Sequence, residues 1–302
     1  MSILLLGADG QVGYELQRAF APLGKIEACT ISGRLPDGSA CTQIDFTHAG
    51  SLARLVAQRR PTLVLNAVAH TQVDRAEDEP ELAQRINADA VGELAQACAA
   101  HDAKLIHYST DYVFGGAGDR PWREDDATAP LGVYGRSKLA GEEAVRASGC
   151  RHLLLRTAWV YGARGSNFLR TMLRVGASRD ELAVVADQIG SPTPARQIAA
   201  ATALAHAHRP EASGTWHLVA DGQCSWHEFA TAIFARAVAA GLLERAPHVR
   251  AIASADYPTK ARRPAYSRLD TSRFADDFRL QLPDWREGLA QVIAEWVEAR
   301  AA

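Results

Sequence analysis

Tyr134 and Lys138 stand four residues apart in Tyr134-Gly135-Arg136-Ser137-Lys138. On a helix that spacing puts both side chains on one face, one turn apart. An ammonium beside a phenol favours the phenolate and lowers the tyrosine pKa from its usual value of about 10. A phenol tuned this way passes a proton to or from a substrate oxygen near neutral pH. The same spacing also describes a surface lysine laid over a half-buried tyrosine, so the surrounding elements decide between the two. Thr110 is a third candidate: a hydroxyl just past an apolar strand, where it can hydrogen-bond a substrate carbonyl.

A second chemical signal opens the chain. Residues 2–6 are an apolar run into Gly7-Ala8-Asp9-Gly10-Gln11-Val12-Gly13, and Val12, Leu16, Ala19 and Phe20 follow at helical spacing. Strand, glycine turn and helix in that order suit a diphosphate at the helix N-terminus, against free N–H groups and the positive dipole end. Gly7 permits the tight turn, Gly10 lets the backbone approach the diphosphate, and Gly13 lets helix and strand pack closely. The spacing is G-x-x-G-x-x-G and not G-x-G-x-x-G, and a plain tight turn is the competing reading.

Residues 25–31 read as the second strand. Thr30 stands where an NAD-selective site places an acid, with Ser32 and Arg34 after it. No carboxylate there repels a 2′-phosphate and Arg34 suits one, so NADPH is expected ahead of NADH; a solvated loop arginine is the other reading. Asp45, before the helical stretch 49–58, accepts from an adenine amino group with Phe46 beside the ring, or caps that helix. Ala69, His70 and Thr71 follow a third strand at 62–66, where small residues suit close passage of a cofactor. Tyr108 closes a fourth strand at 104–108 and joins the expected cofactor wall.

Those strands need a frame. Helical periodicity covers 81–101, with Leu82, Ile86, Ala90, Leu94, Ala97 and Cys98 as the buried stripe. A fifth strand at 151–156 leads to Thr157-Ala158-Trp159. Strand and helix alternate over the first 160 residues, which predicts a parallel sheet wound on both faces. The pattern then loosens: helices at 167–176, 197–206, 225–240 and 284–299, strands at 182–186 and 215–219, and a loop at 187–193. Ser225 with Glu228 reads as a capping box. The expected architecture is therefore an α/β doubly wound parallel sheet over residues 1–160, to which later segments can add, and a smaller C-terminal α/β lobe over 161–302.

Composition narrows the class. The 302 residues carry 33 Lys and Arg against 35 Asp and Glu, a net charge of -2. That balance lacks the basic stripe of a nucleic-acid binder. No apolar run reaches the roughly 18 residues that cross a bilayer, and residues 1–7 read as a strand and not a signal peptide. The five cysteines are scattered with no Cys-x-x-Cys, so neither a disulfide framework nor a zinc site is indicated. A cytoplasmic location is expected.

Taken together, the glycine turn, Ser109-Thr110-Asp111-Tyr112-Val113-Phe114 and Tyr134-Gly135-Arg136-Ser137-Lys138 resemble the extended short-chain dehydrogenases/reductases, proteins with a Rossmann-type sheet. Asn66-Ala67-Val68-Ala69-His70-Thr71-Gln72-Val73-Asp74-Arg75-Ala76-Glu77, Arg156-Thr157-Ala158-Trp159-Val160-Tyr161 and Arg263-Pro264-Ala265-Tyr266-Ser267-Arg268-Leu269-Asp270 narrow the resemblance to the dTDP-4-dehydrorhamnose reductase family. The resemblance implies reduction of the 4-keto group of dTDP-4-dehydro-L-rhamnose with NADPH or NADH, for cell-surface polysaccharide. It makes Tyr134 the proton donor, Lys138 its tuner and nicotinamide-ribose ligand, and Thr110 the hydroxyl on the carbonyl. It puts Gly10, Gln11 and Val12 at the diphosphate, Asp45 and Phe46 at the adenine, and Ala69, His70 and Thr71 at the nicotinamide side. Asp111 and Trp159 match substrate contacts. Some members bind Mg²⁺ between two subunits; Glu15 matches one such position, whereas Glu287, Glu295 and Glu298 align poorly and read as solvated acids. A homodimer is the corresponding expectation.

Alternatives remain at this stage. A 4,6-dehydratase carries Asp-Glu after its threonine, and here the pair is Asp111-Tyr112. A 4-epimerase retains its NAD, and a non-catalytic NADP-binding regulatory subunit keeps the fold without the chemistry. Trp159 stacks on a sugar or base face or belongs to the core. Arg262, Arg263 and Arg268 meet a diphosphate or lie in a solvated loop.

Overall fold

A computed structural model describes residues 1–301. The chain runs through β1 (Ser2–Leu6), α1 (Gln11–Phe20), β2 (Lys25–Thr30), β3 (Thr42–Gln43), α2 (Ser51–Arg59) and β4 (Leu63–Asn66). Next come α3 (Val73–Asp78), α4 (Pro80–Gln84), a π turn (Arg85–Asp89), α5 (Ala90–Ala100) and β5 (Lys104–Thr110). A 3₁₀ turn (Asp111–Val113) and a long loop lead to α6 (Val133–Ala147), β6 (His152–Thr157) and β7 (Val160–Tyr161). The remainder comprises α7 (Phe168–Gly176), β8 (Glu181–Val185), β9 (Ile189–Gly190), β10 (Thr193–Pro194), α8 (Ala195–His208), β11 (Gly214–His217), β12 (Cys224–Ser225), α9 (Trp226–Ala239), β13 (His248–Ile252), α10 (Ser272–Phe278) and α11 (Trp285–Ala301).

The main sheet has seven strands in the order β11-β6-β5-β4-β1-β2-β3, all parallel. It is the doubly wound α/β sheet expected. Its apolar strands serve two faces by simple alternation. Ile3, Leu5, Leu63, Leu65, Ile106, Leu153 and Leu155 pack with α1, α8 and α10. Leu4, Leu6, Val64, Leu105 and Leu154 pack with α2 and α5 on the other side. Each fully buried leucine contributes about 1.5–3 kcal/mol, and the strands contribute such side chains to both faces. Strand order reverses between β1 and β4, and that is where an open α/β sheet leaves a crevice at its carboxyl edge.

The chain returns to this sheet after residue 160. β11 pairs with β6 at the edge, and α8 lies against α1 under the sheet. The parallel pair β8 and β13, with α7, α9 and α11, forms the smaller lobe around Phe229, Ile233 and Trp285. The Ser225–Glu228 capping box forms at the start of α9.

Two local expectations are corrected. The helix read over 81–101 is interrupted by the π turn, with α3 and α4 ahead of it. The helix after Asp45 begins at Ser51 behind Gly50, whose φ of 72° breaks the helical path, so Asp45 does not cap it. Its carboxylate instead accepts from the Thr47 N–H at 2.8 Å and the Thr47 hydroxyl at 2.7 Å.

Candidate active site

The glycine turn lies at the carboxyl end of β1. Gly7 has φ +76°, and a Cβ there would come within 2.9 Å of Val68. A Cβ on Gly13 would lie 1.9 Å from the Gly7 carbonyl, so only glycine lets α1 cross β1 this closely. Gly10 differs: a Cβ would meet only the Gly7 oxygen, at 3.3 Å, and the residue opens on a cleft of about 710 Å³. No side chain caps α1, so its first N–H groups face that cleft beside Gly10, Gln11 and Val12. This is a cradle of the shape and polarity a dinucleotide diphosphate needs.

The opposite wall comes from β5 and α6. Thr110, Asp111, Tyr134 and Lys138 all line the cleft, as does Tyr108. Gly135 makes this possible, because a Cβ there would sit 2.3 Å from the Tyr112 carbonyl and push α6 off the 3₁₀ turn. Tyr112 and Tyr134 meet edge to face at 5.7 Å. The Thr110 hydroxyl donates to Asp111 Oδ1 at 3.0 Å and accepts the Tyr112 N–H at 3.1 Å. Asp111 Oδ2 is buried without a partner. Burial pushes the Asp111 carboxyl up to about 6, against the pull of hydrogen bonds from Ser267 and Thr110.

Lys138 is fully buried. Its Nζ donates to the Tyr108 carbonyl at 2.7 Å and lies 3.3 Å from His107 Nε2. Burial pushes it down to about 8, with Glu142 pulling it back up. The expected lowering of the Tyr134 pKa is corrected: depth in the cleft pushes the phenol up to about 12, a hydrogen bond with Thr110 draws it down, and Asp111 raises it again. Lys138 does not offset that burial, because its head group turns towards the Tyr108 carbonyl and His107. Tyr134 therefore holds its proton at neutral pH.

The π turn builds the floor. Asn87 accepts the His70 N–H at 2.8 Å, and its amide donates to the His70 carbonyl at 3.1 Å and to the Ser137 hydroxyl at 3.0 Å. A wider turn pushes this one side chain inwards, and it clamps the β4 loop to α6. Ala69 and Thr71 line the cleft, while the His70 imidazole points away and meets Glu79 at 3.4 Å.

At the end of β2, Thr30 is buried and its hydroxyl accepts the Arg34 N–H at 3.1 Å. The Arg34 guanidinium donates to the Gly38 carbonyl at 3.1 Å on the surface. Phe46 is core, packed with Cys29, Ile44 and Leu52. None of Thr30, Arg34, Asp45 or Phe46 lines the cleft.

The small lobe closes the other end. Trp159 lines the cleft and stacks on Trp226 at 3.5 Å, with its backbone held at φ 47°, a conformation a bulky residue adopts only under constraint. Arg263 also lines the cleft and pairs with Asp74 at 2.6 Å; its Nε has no partner. Arg262 is exposed, and Arg268 lies 3.5 Å from Gln223. Trp226, Asn87 and His107 were not singled out from sequence. Polar residues inside a fully buried strand, His107 and Ser109 of β5, were the available signal. Glu15 pairs with Arg18 at 3.2 Å, and its carboxyl is raised mainly by burial. Among the described residues no group of three or more His, Cys, Asp or Glu is arranged to hold a metal ion. No helix is long and apolar enough to cross a membrane among those residues.

A glycine cradle at the β1–β4 switch point, facing a Thr-Tyr-Lys set on β5 and α6, defines an oxidoreductase of the extended short-chain dehydrogenase/reductase class. Comparison with known proteins refines this. The chain belongs to the family described as the RmlD substrate binding domain, whose family model matches residues 1–298. It is 47% identical over 298 residues to a dTDP-4-dehydrorhamnose reductase of Shigella flexneri, covering 98% of each chain. Among solved structures it is similar to a dTDP-4-dehydrorhamnose reductase of Clostridium acetobutylicum, with a TM-score of 0.87 and 33% identity over 98% of this chain and 99% of that one. A dTDP-4-dehydrorhamnose reductase of Bacillus anthracis in complex with NADP matches at 34% identity and a TM-score of 0.87, covering 97% of this chain and 98% of the other.

Proposed function

We propose that this protein reduces the 4-keto group of dTDP-4-dehydro-L-rhamnose to dTDP-L-rhamnose, with NADPH preferred over NADH. The observation that carries the chemistry is a buried phenol, Tyr134, held beside Thr110 in a cleft whose far end is an uncapped helix N-terminus, and burial favours its protonated form. Family membership and full-length similarity to proteins of that activity support the substrate.

Gly10, Gln11 and Val12 would hold the cofactor diphosphate, Ala69 and Thr71 would flank the nicotinamide, and Lys138 would meet its ribose. NADPH held there would supply the hydride for the sugar C4. Tyr134 delivers its proton to the oxygen as negative charge grows there. Thr110 stabilises that charge by hydrogen bonding, a role worth about 3–4 kcal/mol in comparable sites. Arg263 and Asp111 hold the sugar, and Trp159, backed by Trp226, presents an aromatic face to sugar or base. The absence of an acid at the end of β2 supports NADPH, and Ser32 and Arg34, exposed after that strand, would be the groups to meet a 2′-phosphate. A dehydratase role is disfavoured, because Tyr112 stands where a glutamate is needed and burial raises its phenol further.

We assign cofactor binding to the large sheet, including α8 and β11, and substrate binding mainly to the lobe of α7, β8, α9 and β13. All five cysteines are unpaired, which fits a cytoplasmic enzyme. The resemblance further implies a homodimer and leaves Mg²⁺ as a test by metal analysis of the purified protein. The decisive variant is Tyr134→Phe. It should lower kcat by about 10²–10⁴ while NADPH affinity stays within about threefold, a difference under 1 kcal/mol. A near-native rate would remove the assignment.

A further inference from the structure

We propose that Asn167 is a positioning residue that couples the two binding ends of the cleft, through its hydrogen bond to Gln11 of the glycine turn. The proposal deepens the reductase reading, on which the choice of its two ligands rests. Asn167 stands at the start of α7 in the small lobe, and Gln11 opens α1 on the large sheet. Asn167 Oδ1 accepts the Arg170 N–H at 3.0 Å and so caps α7. That bond fixes the amide, because only its oxygen accepts. Nδ2 therefore faces the other way and donates to Gln11 Oε1 at 2.8 Å. It also meets the carbonyls of Gly162 at 2.9 Å and Arg164 at 3.1 Å, which folds residues 162–166 against the start of α1. Gly165 lets this loop come close: its φ is +71°, and a Cβ there would lie 2.7 Å from Gln11 Cγ.

The two partners serve different ligands. Gln11 belongs to the turn assigned to the cofactor diphosphate. From Asn167, α7 continues into Phe168, Thr171 and Met172, which line the small-lobe end of the cleft. The Phe168 ring packs on Trp226 at 4.7 Å, and Trp226 in turn backs Trp159. The seating of this loop on α1 thus sets the position of the aromatic face offered to the substrate. Charge makes the seating sensitive to the cofactor. The exposed Arg164 guanidinium lies over Tyr14 near the start of α1, 4.3 Å from the ring centre. A helix N-terminus disfavours a nearby cation and favours an anion. A diphosphate in the cradle offsets that repulsion and attracts Arg164, so it favours the seated loop and with it the placement of α7. A ligand shifts such an equilibrium only by a difference in affinity of this kind.

Calorimetric titration of the whole protein with dTDP, alone and in saturating NADP⁺, tests the proposal without turnover. The ratio of the two dissociation constants is the coupling, and a uniform loss of dTDP affinity cancels from it. In the native protein NADP⁺ should tighten dTDP binding at least about fivefold, the lower end of ordinary couplings. Gln11→Met keeps the side chain's length and the loop's own hydrogen bonds, but it cannot accept from Asn167 as the amide oxygen does. It should bring the ratio to within about twofold of one. Asn167→Ser still caps α7 through its hydroxyl but does not reach Gln11, and it should do the same. The double variant should lose no more coupling than either single one, as two halves of one contact do. A merely structural Asn167 would weaken both dTDP titrations equally and leave the ratio at its native value, which overturns the proposal. A native ratio in Gln11→Met overturns it as well. Native protein that binds neither ligand removes the reductase reading and the proposal together, whereas native protein that binds both without coupling removes the proposal alone.

Discussion

Helix α6 carries two buried polar clusters one turn apart, and their hydrogen bonding differs. Glu142 receives two bonds from Arg156, at 2.9 and 2.7 Å, and a third from Arg146 at 3.1 Å. Donors and acceptors match, and the cluster lies away from the cleft. Around Lys138 the second cluster is looser: Nζ lies 3.3 Å from His107 Nε2, and Asp111 nearby keeps an unpartnered oxygen. Lys138 and Asp111 of that second cluster line the cleft. The saturated cluster fixes how α6 sits on β6. The unsaturated one leaves places where a proton or a substrate hydroxyl can enter, and native chains tolerate such groups mainly at functional sites.

The contrast breaks most visibly at Arg156. Arg156→Met leaves the buried Glu142 with Arg146 as its one cationic partner, and should destabilise the protein by about 3 kcal/mol in denaturant titration. The pH dependence follows from the sign of the shift. Burial pushes the Glu142 carboxyl up, but Arg156 outweighs it and the group lies below its ordinary range. Its contribution is therefore present above the unfolded value of about 4.3 and lost as pH falls below it. The gap between native and variant should narrow on acidification; a constant gap would mean that the ion pair contributes nothing.

Asp111→Asn should move stability the opposite way. The Asp111 carboxyl is raised from its ordinary 3.8 to about 6 by burial, so it costs stability at pH 7, and the chain gains stability as pH falls through 6. The amide should stabilise the protein at pH 7 by about 2–3 kcal/mol, at 1.36 kcal/mol per pH unit, flatten the stability profile between about pH 4 and 6, and lower turnover. No gain in stability would place Asp111 among the satisfied groups.

Smaller effects sharpen the cleft itself. Trp226→Leu removes the stack behind Trp159 and should raise KM for the nucleotide sugar roughly three- to tenfold, matching about 0.5–1.5 kcal/mol for an aromatic pair. An unchanged KM would make Trp159 independent of its support. Arg34→Ala should raise KM for NADPH by about two- to fivefold and leave that for NADH alone, since an exposed ion pair is worth about 0.2–1 kcal/mol. Equal changes for both cofactors would end its proposed link to the 2′-phosphate.

Much of this frame was legible in the residues. Gly7, Gly10 and Gly13 between an apolar run and an amphipathic stretch marked the turn, and alternating strands marked the sheet. Thr110, Tyr134 and Lys138 were found by spacing and by their place at strand and helix ends, and they do converge on one cleft. Other features depend on contacts that spacing does not encode. The π turn that aims Asn87 inwards interrupts a stretch of ordinary helical periodicity. β11 joins the large sheet because β6 offers an edge, although it follows a loosened pattern. The Tyr134 pKa rises because the phenol is buried, and an i,i+4 spacing specifies a shared face but neither depth nor head-group direction.

The central claim is a ketone reduction at this cleft, and its most direct measurement is the fall in reduced-nicotinamide absorbance when the protein meets dTDP-4-dehydro-L-rhamnose. The expected result is stoichiometric oxidation of NADPH with formation of dTDP-L-rhamnose, and loss of that signal in Tyr134→Phe. No oxidation of NADPH or NADH by the native protein would contradict the account.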